Sequence, residues 1–117
     1  PKPPVKLDLS YHANNGDVST LDFSEVPEGT LPYEELDLSY NGLTSAELDR
    51  GLEICSRCPK LRVLKLFKNN IDDTGADGIA HLCQTCPGIE EIHLSHNLFT
   101  AEGATSIIMS AVGSRSP

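Results

Sequence analysis

The sequence predicts an α/β solenoid with parallel inner strands and outer helices, and three observations predict it. The first is a period. Tyr33 to Leu43, Leu61 to Ile71 and Ile89 to Phe99 have one form, and corresponding residues stand 28 apart: Leu36, Leu64 and Ile92; Leu38, Leu66 and Leu94; Asn41, Asn69 and Asn97. A fixed period in this range marks stacked supersecondary units. The second is a switch of pattern inside each unit, from apolar residues two apart to apolar residues at helical spacing. The third is the asparagine at the strand exit, whose amide can bond backbone groups that stacking would otherwise bury unpaired.

The strand segments come first in each unit. Leu36 and Leu38, Leu64 and Leu66, and Ile92 and Leu94 each place two side chains on one strand face. Helices follow. Thr44-Ser45-Ala46-Glu47 has capping-box form ahead of Leu48, Leu52 and Cys55. Asp72 or Asp73 caps the next, whose stripe is Ala76, Ile79, Ala80 and Cys83. Thr100 caps the third, with Ala104, Ile107, Ile108 and Ala111 inward. Because each helix returns the chain to the same end, successive strands are expected to run parallel.

Upstream, Leu7-Asp8-Leu9-Ser10-Tyr11 repeats Leu36-Asp37-Leu38-Ser39-Tyr40 at a distance of 29 residues, with His12 where the asparagine would stand and Asn14 where a leucine would. Val18 to Ser24 admits two readings. It is either a hairpin cap turning at Asn14-Asn15-Gly16-Asp17 or a convex segment of the first unit, and the 29-residue spacing favours the second. The expected organisation is a linker at 1–4, one repeat domain at 5–112 (units 5–32, 33–60, 61–88 and 89–112) and a tail at 113–117. The absence of an initiating Met predicts a trimmed N-terminus or a segment of a longer chain.

The pattern L-x-x-L-x-L-x-x-N-x-L resembles the leucine-rich repeat family. The following N-x-[LIF]-[TD]-x-x-[GE] turn and full helix resemble its ribonuclease-inhibitor-like subclass, whose repeats are 28–29 residues long. The resemblance implies a short right-handed horseshoe and, as function, a non-catalytic protein-protein interaction module, part of a larger protein or complex. It also leaves open a regulatory subunit of the small-GTPase activator kind and an RNA-export-type repeat domain.

Composition narrows these. The 117 residues carry a net charge of -8, which disfavours phosphate-backbone binding, and no apolar run approaches the ~20 residues of a membrane span. Cys55-x-x-Cys58-Pro59 and Cys83-x-x-Cys86-Pro87 look like a zinc set, yet they are one repeat position met twice. Stacked units hold them about 10 Å apart, too far for four thiolates at about 2.3 Å from one ion. Buried free thiols are expected instead, which points to an intracellular location, cytoplasmic or nuclear. Extracellular members of the family close their ends with cysteine-rich caps, and this sequence shows none.

No catalytic constellation is readable. His93-x-x-His96 lacks further ligands, Gly75 and Gly78 fall in a helical pattern rather than a phosphate loop, and Glu34-Glu35 and Glu90-Glu91 read as exposed strand positions and their flanks. No catalytic residue, metal or cofactor is expected. The expected partner is a protein, bound on the concave face by Tyr11, Asp37, Tyr40, Lys65, Phe67, Lys68, Glu91, His93 and His96. Phe67 stands where the other units have Ser, and with Lys65, Lys68 and Tyr40 it is expected to form an aromatic anchor beside a basic spot. Asn41, Asn69, Asn97, Leu36, Leu64 and Ile92 are structural. Ile107, Ile108, Met109 and Val112 have no following strand to cover them, so edge association through the C-terminal helix is a further expectation.

Overall fold

A computed structural model describes residues 5–13, 21–24 and 26–115, with side chains as far as Ala111. The expected linker, the proposed turn at Asn14 to Asp17, Val18 and the side chain of Val112 lie outside the described residues. The order is β1 (Lys6–Asp8), β2 (Glu35–Asp37), α1 (Ser45–Ser56), β3 (Val63–Lys65), α2 (Asp73–Thr85), β4 (Glu91–His93) and α3 (Ala101–Arg115). The strands form one sheet in sequence order, all neighbours parallel. Leu7, Leu36, Leu64 and Ile92 are direct partners across it, so the 28-residue period is the strand register itself.

The core lies between sheet and helices. Leu36, Leu38, Leu64 and Leu66 are buried, with Leu43 and Ile71 beneath the strand-exit loops and Leu48, Ile54, Cys55, Ala76 and Ile79 from α1 and α2. Ile92 and Leu94, on the last strand, are only half-buried. Two helical glycines permit the close approach. A Cβ at Gly51 would come within 2.6 Å of Leu38, and one at Gly75 within 2.5 Å of Ile71 and 2.8 Å of the Ser45 hydroxyl.

The asparagines form a ladder from unit to unit. Asn69 Oδ1 accepts from the backbone N–H of Asn41 (3.0 Å) and Leu43 (2.9 Å), while its Nδ2 donates to the carbonyls of Leu38 and Leu66. Asn97 accepts from Ile71 N–H and donates to Leu66 and Leu94. Asn41 accepts from Ala13 N–H. Ala13 is buried and therefore takes the place of Leu43 and Ile71, one residue earlier than the sequence alignment with Asn14 implies.

The helix ends and faces differ in detail from expectation. Asp72 caps α2 by accepting from Thr74 N–H, whereas Asp73 reaches forward to the Thr100 N–H and hydroxyl. Thr44 is the N-cap residue of α1 but makes no side-chain bond to the backbone, because its hydroxyl turns to the Glu47 carboxylate. On α1, Ile54 is buried and Leu52 only half-buried, since Leu52 lies toward α2 beside Gly78. On α3, Ile107 is buried but Ile108 is 60% exposed, because no described element covers that flank. Residues 21–24 form no strand; Leu21 is buried, and Phe23 and Val26 line a cleft with Asp49, Glu53 and Arg57 on the helix side.

Candidate functional site

The site is built at the strand exits. Each strand leaves the sheet through a residue in the left-handed region: Tyr11 (φ 59°), Tyr40 (φ 62°), Lys68 (φ 55°) and His96 (φ 60°). These are equivalent positions, each just before the asparagine or, in the first unit, before His12. The reversal turns the asparagine inward and leaves the preceding side chain on the rim. Non-glycine residues at such angles cost on the order of 1 kcal/mol, and glycine would relieve that cost. Tyr, Tyr, Lys and His stand there instead, so each unit keeps a side chain on the rim against a backbone penalty.

Those side chains and Phe67 form a row of rings. Tyr11 and Tyr40 stack with centroids 4.2 Å apart and planes 11° from parallel. Phe67 tilts against Tyr40 at 5.3 Å and against His96 at 5.0 Å. Phe67 belongs to a different column from its neighbours. It reaches the row because Lys68 occupies the rim position in that unit, and the Lys68 ammonium lies 5.8 Å from the Tyr40 ring centroid. Beside the row runs a shallow groove of about 500 Å³, lined by Tyr11, Tyr40, Lys68, Asn70, His96 and Leu98. Ser39, the residue equivalent to Phe67, accepts the Phe67 N–H through its hydroxyl, which pins the aromatic strand end to its neighbour.

The sheet face next to the row is charged and cross-linked. Glu35 sits between Lys6 (3.1 Å) and Lys65 (3.2 Å), with Lys6 also 4.0 Å from Asp37. Partial burial would push the Glu35 carboxyl up, but the bonds from Lys6 and Lys65 outweigh it and hold it below its ordinary range. The Lys6 ammonium is raised by the same bond. On β4, His93 pairs with Glu91 at 3.1 Å. The expected basic spot at Lys65 and Lys68 is thereby divided: Lys65 is drawn to Glu35, and Lys68 stays with the rings.

The nine residues singled out from sequence thus fall into two groups. Tyr11, Tyr40, Phe67, Lys68 and His96 form the row; Asp37, Lys65, Glu91 and His93 lie on the adjoining sheet face. Lys6, Glu35, Asn70 and Leu98 were not singled out. The register of Lys6 over Glu35 was visible in the column of equivalent positions, but Leu98 looked like an ordinary loop residue.

The four cysteines are free, with Cys55, Cys58 and Cys83 buried and Cys86 half-buried. Burial pushes the thiols of Cys55, Cys58 and Cys86 up, away from nucleophilic use. Among the described residues no three His, Cys, Asp or Glu side chains converge as a metal site, and no helix is long and apolar enough to cross a membrane.

No curated protein matches the chain significantly. A family model described as Leucine Rich repeat matches residues 57–80, which hold the C-cap of α1, all of β3, Asn69 and the first half of α2. With the parallel sheet and its helices, this match supports placing the chain among α/β leucine-rich repeat proteins.

Proposed function

We propose that the chain is a non-catalytic protein-interaction module of the ribonuclease-inhibitor-like subclass. In this reading the sheet is the inner wall of a short right-handed horseshoe, and the partner seats on the row Tyr11, Tyr40, Phe67 and His96 with Lys68 beside it. The observation that carries the reading is the row itself. Large rings sit on a rim where backbone strain favours glycine, and they are held in register by strands that need no ordering when a partner arrives. Preorganised aromatic side chains lose little entropy on binding and are frequent anchors of interface energy. The charged face beside them, Glu35 between two lysines and Glu91 with His93, supplies polar contacts that fix orientation.

The leucine-rich repeat match suggests a protein-interaction role and belongs to a family that is generally non-catalytic. Four free cysteines, three of them buried, support an intracellular setting. The test is a pull-down from cell extract with wild type and with Phe67→Ser plus Lys68→Glu, both shown folded by circular dichroism. Partners retained by wild type and lost by the double variant support the row as the contact. Undiminished capture of every partner by the folded variant overturns it.

A further inference from the structure

The large apolar side chains that remain exposed are Val5 and Tyr11 in the first unit, and Leu98, Ile108 and Met109 in the last. The two middle units contribute none among the described residues. The ends of the sheet are also the ends of a repeating register, and the two ends are complementary. We infer that the β4 end of one molecule receives the β1 end of a second copy, so that the chain associates head to tail.

Register supports the fit. Each strand pairs with the next so that Val63 faces Glu91, Leu64 faces Ile92 and Lys65 faces His93. The same step applied once more places Glu91 over Lys6, Ile92 over Leu7 and His93 over Asp8 of the second copy. Both polar pairs are then of complementary charge, with His93 protonated or donating. Backbone groups match too. Leu66 and Lys68 donate to the carbonyls of His93 and Ser95, and by the same spacing Leu94 and His96 donate to those of Asp8 and Ser10. The row of rings would continue from His96 onto Tyr11. Beside β4, a groove of about 290 Å³ lined by Cys86, Ile89, Ile92, Leu94, Ile107 and Ile108 is open to receive apolar side chains.

The join is weaker than an internal one. Within the chain, the N–H groups of Leu43 and Ile71 bond to the asparagine of the next unit. Their counterpart, Phe99, would meet His12, so one rung of the ladder is missing. Association is therefore reversible and concentration-dependent. A heterologous contact of this kind does not close on a dimer but adds further copies.

Sedimentation equilibrium of the 117-residue chain tests this with two variants. Val5→Asp plus Tyr11→Asp blocks the β1 end, and Ile108→Asp plus Met109→Asp blocks the β4 end; unchanged circular dichroism confirms that both fold. Wild type is expected to gain mass beyond a dimer as concentration rises. Each variant alone stays monomeric, and the two mixed form a one-to-one dimer that grows no further. Glu91→Lys, facing Lys6, weakens wild-type association. A wild type that is monomeric throughout overturns the inference. So does a β1-blocked variant that dimerises alone, which would show the β4 ends joining each other.

Discussion

Tyr11 and Tyr40, 29 residues apart in the chain, stack face to face with centroids 4.2 Å apart and planes 11° from parallel. Neighbouring strands in a sheet lie about 4.8 Å apart, close to the spacing at which rings stack. Parallel strands in register, each ending in the same left-handed residue, therefore place successive rim side chains at ring contact without further design. The row is a product of the repeat, and Phe67 enters it as the one ring from a neighbouring column.

The row is expected to be energetically coupled. In a double-mutant cycle of Tyr40→Ala and Phe67→Ala, measured by urea unfolding, the coupling should be about 0.5–1.5 kcal/mol, the range of tilted aromatic pairs. Additive effects would mean that the rings touch without supporting each other.

Asn69→Ala should be among the most damaging single changes. Asn69 is 4% exposed, and its side chain satisfies two N–H groups and two carbonyls. Each buried group left unpaired costs about 1–3 kcal/mol, so a loss of about 3 kcal/mol or more is expected. Asn97→Ala should cost less, because Asn97 is half-buried and water can replace part of its bonding. Equal losses in the two variants would show that the ladder is not graded by burial.

Gly75→Ala tests the close approach of α2 to the neighbouring unit. Alanine raises helix propensity by about 1 kcal/mol, but its methyl would press on Ile71 and the Ser45 hydroxyl, and overpacking costs about 1–3 kcal/mol. A lower thermal midpoint is expected. A higher one would mean that the helix shifts freely.

The columns were legible because stacking makes them so. Leu36, Leu64 and Asn69 recur at a spacing that the strand register imposes, and each has one physical role. The stacking of Tyr11 on Tyr40 was not legible, since it depends on a left-handed turn that tyrosine does not advertise. Phe67 looked like an exposed anchor, but rings on both sides half-bury it. Lys65 and Lys68 looked like one basic spot, and cross-strand Glu35 separates them. The stripe on α3 failed at Ile108 because helical spacing assigns an inward face only where a neighbour exists to define it. Capping at Thr44 failed because Glu47 competes for its hydroxyl.

Glu35 makes stability depend on pH in a stated direction. Its folded-state pKa is held below the ordinary range by Lys6 and Lys65. A depressed carboxyl contributes stability that is full above its unfolded pKa and is lost as pH falls through the folded one. Glu35→Gln should therefore lower the urea midpoint at neutral pH, with the difference from wild type shrinking toward about pH 3 as the carboxyl of wild type protonates. Lys6, whose pKa is raised by the same contact, keeps its charge throughout this window and only matters as pH rises through its own value. A difference between the two proteins that stays constant with pH would remove the ion pairs from the account.

The thiols should report opening of the unit interface. Cys86 is half-buried, whereas Cys55 is fully covered between α1 and the sheet and Cys58 donates to the Ile54 carbonyl at 3.2 Å. Burial raises all three thiols, so each presents little thiolate at neutral pH, and access then decides the order of reaction. Alkylation followed by mass spectrometry should modify Cys86 first. Cys55 should react only as fast as the molecule opens, with a rate that climbs with urea in step with global unfolding. Added zinc should leave this order unchanged, since the repeat spacing separates the two pairs. Rapid Cys55 labelling in the absence of denaturant would show that α1 lifts from the sheet on its own, and the rigid wall on which the ring row depends would then not be rigid.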